Sequence, residues 1–123
     1  MATKQAIQTV TVPASADLST HQFKLGVING SGKIALSGAG TRVDGVIGNK
    51  PSAADEATEL QVGGIVKAIA LGVIAPGAEI ASNAAGLATT AVSTNYVFGI
   101  SKALANTAAN EIFPILVSKY NKV

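Results

Sequence analysis

The single histidine of this sequence, His21, is the first residue that could carry out acid–base chemistry or bind a metal. It lies in the polar segment Ser19-Thr20-His21-Gln22, ahead of an apolar stretch. A protein zinc site needs three or four ligands, which a lone histidine does not provide. We therefore interpret His21 as an ordinary loop histidine and keep a general base or a pH-sensitive contact as the functional alternative.

The segment from Asn29 to Lys33, which reads Asn-Gly-Ser-Gly-Lys, resembles part of a phosphate-binding loop. A P-loop has a glycine five positions before its Gly-Lys pair and a Ser or Thr directly after the lysine. Val27 and Ile34 stand at these two positions, so both the glycine and the hydroxyl group are missing. We therefore predict a hairpin turn here, because Asn and Gly tolerate positive φ.

Asp55, Glu56 and Glu59 form the acidic cluster of the sequence. Paired carboxylates can act as general acid and base when burial raises the pKa of one of them. The neighbouring residues are Ala, Pro, Ser and Thr, which favour a solvated link between strands. The functional alternative is a charged contact that steers a partner into place.

Nucleophilic catalysis is not indicated by the remaining side chains. Serine and threonine are frequent, but none has an evident base partner. Cysteine is absent, which excludes thiolate chemistry and disulfides. We predict no catalytic, cofactor-binding or metal-binding residues and no cofactor, so the sequence indicates a protein that is not an enzyme.

The composition indicates one small domain with an unusually uncharged surface. The chain has 123 residues, of which 13% are charged and 48% are hydrophobic, with alanine making up much of the latter. Soluble domains usually have about 25% charged residues. A surface of Ala, Gly, Ser, Thr and Asn suits a protein that faces other proteins over much of its area.

Charge pattern and hydropathy argue against nucleic acid and membranes as partners. The net charge is +2, lysines are scattered singly and Arg42 is the only arginine, so there is no basic stripe. The most apolar run, Val62–Ala75, contains Lys67 and is shorter than the roughly 20 residues of a membrane span. Residues 1–5 lack the apolar core expected of a signal peptide.

Two stretches of the sequence share a pattern of glycines and apolar residues. The interval from Gly32 to Gly86 is the same as the interval from Gly45 to Gly99. An Ala-rich link and a further apolar stretch follow in both halves. The pattern predicts an internal duplication over about residues 22–69 and 76–117, in which the repeated parts are scaffold.

Strand signals dominate both halves. Short apolar stretches separated by glycine turns are typical of a small β-barrel or a β-sandwich. Gly45 and Gly99 fall inside predicted strands, where glycine usually marks a bulge or a bend. We predict a mainly β fold built from two related lobes that share one core, with at most short helical turns in the Ala-rich links.

The ends of the chain lie outside the predicted repeat. Residues 1–13 are expected to form an N-terminal arm or a first strand, residues 14–118 a single β domain, and residues 119–123 a polar tail. Both ends are therefore candidates for contacts that the repeated core does not require.

Four residues in these end segments are the candidate partner contacts. Alternation places Val10 and Val12 on one side of the first strand and Ile7 on the other. We expect these three residues and Tyr120 to contact a partner, with the N-terminal arm binding by strand addition. The alternative is that the arm is an ordinary edge strand.

This order of glycine turns, apolar strands and Ala-rich links resembles that of bacteriophage capsid decoration proteins, which are also called cement or head-stabilising proteins. The matching stretches are Phe23–Ile47, Pro51–Ile69, Ala75–Ile100 and Ala103–Val117. The resemblance implies a structural virion protein that binds the outer surface of an assembled phage capsid and stabilises it, as a trimer. It also implies the major capsid protein and further copies of the chain as partners, and synthesis in the host cytoplasm.

A small β-barrel module that binds a ligand or a glycan is the alternative function. Glycan sites usually offer exposed aromatic rings for stacking. Tyr96 and Tyr120 are the candidates for such rings, because Phe23, Phe98 and Phe113 lie in apolar stretches that are expected in the core.

Overall fold

The computed structural model describes residues 7–123, in which nine β-strands form the regular structure. In chain order the strands are β1 (Ile7–Pro13), β2 (Leu25–Ile28), β3 (Ile34–Leu36), β4 (Gly45–Ile47), β5 (Ala57–Ile69), β6 (Glu79–Ser82), β7 (Ala88–Thr90), β8 (Tyr96–Ser101) and β9 (Ile112–Asn121). The mainly β fold predicted from the sequence is confirmed, and the Ala-rich links contain no helix. Within the described residues, no helix is long and apolar enough to cross a membrane.

The strands pair into one sheet in the order β3-β2-β4-β5-β9-β8-β6-β7, and β1 also pairs with β5. These pairings make two rings. The first ring comprises β1, residues 57–61 of β5, β4, β2 and β3, and the parallel bridge from Ala14 to Ile34 closes it. The second ring comprises residues 65–69 of β5, β9, β8, β6 and β7, closed by the bridge from Ala70 to Ala88. The small curled sheet therefore closes on itself twice, as in a small β-barrel.

The strand register of the first ring recurs in the second ring at a nearly constant offset along the chain. Equivalent cross-strand pairs are Gly26–Leu36 with Ile80–Thr90, and Val10–Leu60 with Val66–Ile115. β1 thus occupies in the first ring the place that residues 65–69 of β5 occupy in the second. The N-terminal strand has a counterpart in the other half of the chain, although the sequence had placed residues 1–13 outside the repeat.

Left-handed backbone conformations recur at the same offset. φ is +68° at Phe23 and +76° at Gly77, which occupy equivalent places in the two halves. The further equivalent pairs with positive φ are Gly32 with Gly86, Gly40 with Thr94, and Asp55 with Asn110. The turns, as well as the strands, therefore follow the same path in both halves.

Gly45 and Gly99 allow two strands in each ring to approach closely. A Cβ atom at Gly45 would lie 2.5 Å from the carbonyl oxygen of Gln61 on β5. A Cβ atom at Gly99 would lie still closer to the carbonyl oxygen of Leu116 on β9. Near Gly99 the register of β8 and β9 shifts, which is the kind of irregularity that the glycine indicates.

Two large clusters of buried apolar residues make up the core. The first cluster lies within the first ring and consists of Ala14, Leu18, Ile34, Ile47 and Leu60. The second cluster fills the second ring around Phe98 and Phe113, and it also includes Leu25, Val43 and Val46 of the first ring. The two rings are therefore joined by apolar packing as well as by the continuous strand β5.

The C-terminal strand is longer than the sequence predicts. β9 continues to Asn121, so most of residues 119–123 belong to a strand and not to a free tail. Pro114 pairs with Lys67 of β5, and the ladder between β8 and β9 ends at the next residue, Ile115. The Pro114 carbonyl oxygen accepts a hydrogen bond from the backbone N–H of Lys102, the residue after β8, so the proline lies where the ladder to β8 ends.

Candidate interaction surface

His21 lies in a half-buried position before β2, where its Nδ1 atom is 3.1 Å from Lys24 Nζ. Burial and the neighbouring lysine lower the pKa of His21, while Asp17 opposes this shift. The Asp17 carboxylate itself accepts hydrogen bonds from the hydroxyl and backbone N–H of Ser19. Among residues 7–123, no three His, Asp or Glu side chains meet as a metal site would require.

The acidic residues predicted to cluster have three different environments in the structure. Asp55 forms an ion pair of 2.7 Å with Lys33. Glu56 Oε1 accepts hydrogen bonds from Ser52 and Ala53, and the Ser52 hydroxyl is the main cause that lowers the pKa of Glu56. Glu59 is exposed, and its Oε1 atom lies 3.4 Å from the uncharged amide nitrogen of the Gln61 side chain. The Glu59 carboxylate is therefore accessible to a partner.

The Asn-Gly-Ser-Gly-Lys segment forms the turn between β2 and β3, as the hairpin interpretation predicts. Asn29 Oδ1 accepts hydrogen bonds from the backbone N–H groups of Ser31 and Lys33, at 3.0 and 3.1 Å. Asn83 has the same role in the turn between β6 and β7. The asparagine side chain thus stabilises the turn in both rings, which is a structural role.

The candidate contacts near the N-terminus belong to β1, which pairs with β5 of the same chain. The backbone of Ile7 pairs with Gly64, and residues 1–6 of the predicted arm lie outside the described residues. Val10 is 43% exposed, whereas Val12 is half-buried and packs on the first core cluster. Of these two valines, Val10 therefore offers more surface to a partner.

Tyr120 is 38% exposed and its hydroxyl group donates to the carboxylate of Glu79 on β6. Lys122 forms an ion pair with the same carboxylate. These two hydrogen bonds, the one from Lys122 first, lower the pKa of Glu79, and the contact with Glu79 raises the pKa of Tyr120. The end of β9 is thus attached to its own chain, while part of the Tyr120 ring faces solvent.

A surface that the sequence analysis did not single out lies on β5 and β9 of the second ring. We call it the outer face, and it consists of the cross-strand pairs Ile65–Leu116, Lys67–Pro114 and Ile69–Ile112. The alternate residues of the same strands point into the core, as the burial of Val66 and Phe113 shows. The three pairs of this face therefore contain five apolar side chains and one charged side chain, that of Lys67.

A groove of about 670 Å³ adjoins the outer face. Its lining residues are Phe23, Gln61, Ile65, Lys67, Lys102, Leu104 and Pro114. Leu104 is fully exposed in the link between β8 and β9. The sequence signal for this face was the alternation of Ile65, Lys67 and Ile69 within the apolar run Val62–Ala75. Alternation does not give the register between strands, so the sequence could not show that β9 lies beside these residues.

The fold described above is also found in a protein of a phage head. It is the N base of the head fiber gp8.5 of bacteriophage phi29, whose crystal structure matches this chain with a TM-score of 0.69 and 15% sequence identity. The match covers 92% of this chain and 95% of that chain. No protein-family model and no curated protein sequence matches this chain. At this sequence identity the match shows that the two chains share a fold.

Proposed function

We propose that this chain is a structural, non-enzymatic protein of a phage virion that binds the outer surface of the assembled capsid and stabilises it, as a trimer of identical chains. The observation that carries the proposal is the fold shared with the phage head fiber base over 92% of the chain. The low content of charged residues, 13%, supports it, because such a surface suits extended contacts with other proteins.

Stabilisation would follow from mass action. A protein that binds the assembled shell, and not its free subunits, shifts the equilibrium toward the shell. The partners would be the major capsid protein and other copies of this chain, and the protein would be made in the host cytoplasm before it joins the virion surface. Each copy contributes little, but a shell binds many copies.

The two related rings would form the scaffold of this module, by duplication of one ancestral unit. β1 supports the proposed strand addition, because β5 is the only described strand that pairs along it, so its other edge can accept a strand. Ile7, Val10 and Val12 lie on this strand, and Tyr120 lies at the opposite end of the chain. They remain the candidate contacts of the module.

Sedimentation with purified phage heads tests the proposal. Heads of the phage that encodes the chain, prepared without this protein, are mixed with it and pelleted, and the bound fraction and the temperature of genome release are measured. We expect saturable binding and release at a higher temperature. Absence of the protein from the pellet at concentrations well above those in an infected cell would contradict the proposal.

The groove favours one second candidate function, a module that binds a ligand or glycan. Phe23 is half-buried and lines the groove, so part of its ring is available for stacking. Tyr96 is half-buried and Tyr120 is held by Glu79, which makes them weaker candidates. A glycan array tests this alternative. If the protein binds no saccharide on the array and does bind phage heads, the capsid role is supported and the glycan-binding role is excluded.

A further inference from the structure

We propose that the outer face, together with the adjoining groove, is the surface through which a second copy of this chain binds. The proposal deepens the proposed function and rests on it, because it names the surface of self-association. Four features of this surface carry it: its exposed apolar side chains, its polar counterpart in the first ring, the backbone conformation of Phe23, and the charges along its rim.

The outer face exposes more apolar side chain than the fold requires. Ile112 is 47% exposed, Leu116 is 44% exposed, and Leu104 beside them is fully exposed. Isolated exposed apolar residues are normal on a protein surface, but a contiguous group marks an interaction site. These three residues form such a group with Ile65 and Pro114.

The first ring shows which residues the same positions of the fold can carry. The equivalent cross-strand pairs there are Thr9–Gln61, Thr11–Glu59 and Pro13–Ala57, in place of Ile65–Leu116, Lys67–Pro114 and Ile69–Ile112. The two sets occupy the same positions in the same register, so the fold accepts polar residues on this face. The strand register therefore does not require apolar residues on this face of the second ring.

Phe23 supports the same conclusion from its backbone. Its φ of +68° is an unfavourable conformation for a bulky side chain, and the equivalent residue in the second ring is glycine, Gly77. The Phe23 ring is half-buried and lines the groove. A strained phenylalanine at a position where glycine suffices indicates that its side chain is needed at the surface.

The charges around the face fit another copy of the same face. Lys67 and Lys102 lie along the groove, Glu59 lies on the same side of β5, and Glu111 precedes Ile112. Within residues 7–123, the ion pairs involve none of these four side chains. An apolar centre with a charged rim is typical of a protein interface, and equal numbers of both signs allow self-complementarity.

Charges of opposite sign lie side by side at this rim, since Lys102 and Glu111 line one depression beside Leu104 and Ile112. The rim can therefore meet both signs of charge on a second copy. A heterologous contact between copies generates a ring when the rotation between them closes. A closed ring is what the proposed trimer requires.

The mass of the full chain in solution, measured by sedimentation equilibrium over a range of concentrations, tests the surface. The main variant carries Ile65→Thr and Leu116→Gln, the residues that the first ring has at these positions. The control carries Val73→Thr and Val92→Thr, two exposed valines outside the groove. Circular dichroism and thermal unfolding report whether each variant keeps the fold.

We expect the wild type and the control to self-associate, and the main variant to be monomeric with an unchanged spectrum. Lys67→Glu should raise the dissociation constant at least about tenfold, and the double variant Lys67→Glu with Glu59→Lys should recover most of that loss. A monomeric wild type, or a folded main variant with unchanged mass, would overturn the proposal.

Head binding separates the failure of this proposal from the failure of the proposed function. If the wild type is monomeric but sediments with phage heads, the capsid role stands and the second copy is excluded as the occupant. If the main variant still self-associates but no longer binds heads, the shell is the occupant of the outer face, and the inference is also wrong. Self-association through the outer face without head binding would leave the interface in place and contradict the capsid role.

Discussion

Two buried threonines, Thr58 and Thr107, differ in the hydrogen bonding of their hydroxyl groups. Thr107 Oγ1 accepts a hydrogen bond from Ile74 N–H at 2.9 Å and donates one to the Gly72 carbonyl oxygen at 2.8 Å. Thr58 Oγ1 is buried in the first ring and has no partner in the described part of the chain. A buried hydroxyl group without a hydrogen bond opposes folding.

We predict that Thr58→Val stabilises the protein. Valine has nearly the same shape and removes the unpaired hydroxyl group, so the free energy of unfolding should rise by about 1 kcal/mol. Urea unfolding followed by circular dichroism measures the change. Thr107→Val is the matched control and should lower the free energy of unfolding by about 1–3 kcal/mol, because it leaves the Ile74 N–H unpaired. A loss of stability for Thr58→Val would show that its hydroxyl group has a partner.

At the residue scale, the sequence predicts local devices better than contacts between distant residues. The turn at Asn29 follows from its own sequence, since the asparagine bonds to backbone groups only a few residues away. The contact of Tyr120 with Glu79 joins distant parts of the chain and depends on the register of β9 against β8 and of β8 against β6. Residue types and spacing carry no information on that register.

The close approach of neighbouring strands depends on the absence of a side chain at two glycines inside strands. Gly45 and Gly99 each face a carbonyl oxygen of the neighbouring long strand, at equivalent places in the two rings. We predict that Gly45→Ala and Gly99→Ala each lower the free energy of unfolding by about 1–3 kcal/mol, because the added methyl group forces the strands apart. Chemical unfolding of the two variants measures this loss.

The controls are glycines of the same chain that have open space around them. No atom lies within 4 Å of a Cβ atom built at Gly30 or at Gly72, and neither residue has positive φ. Gly30→Ala and Gly72→Ala should leave stability unchanged or raise it slightly. If Gly45→Ala behaved like these controls, the close approach of β4 to β5 would not hold the strands in place.

At the element scale, strand positions could be predicted from the sequence, and strand partners could not. Alternation placed the first strand within residues 1–13, and the turn signal placed the first hairpin around Asn29–Lys33, whereas β9 extends beyond the predicted end of the domain at residue 118. The pairing of β1 with β5 joins opposite ends of the first half of the chain, so the first strand looked like a free arm. The outer face was missed for the same reason, because its two strands are about as far apart in the sequence as β1 and β5.

At the scale of the whole molecule, the two rings are not independent units. Residues 57–61 of β5 belong to the first ring, and residues 65–69 of the same strand belong to the second. Leu25, Val43 and Val46 of the first ring are buried in the core cluster of the second. Neither ring can lose its structure without exposing apolar surface of the other, which couples their stabilities.

We therefore predict that the chain unfolds in one cooperative transition, although its strands form two rings. The calorimetric enthalpy of unfolding should equal the van't Hoff enthalpy. Ile47→Val removes a methyl group from the first core cluster and Ile115→Val removes one from the second, and each should cost about 1 kcal/mol. Both variants should shift the whole transition to a lower temperature. Two resolved transitions, or a variant that shifts only one part of the curve, would mean that the shared strand and the joint cluster do not couple the rings.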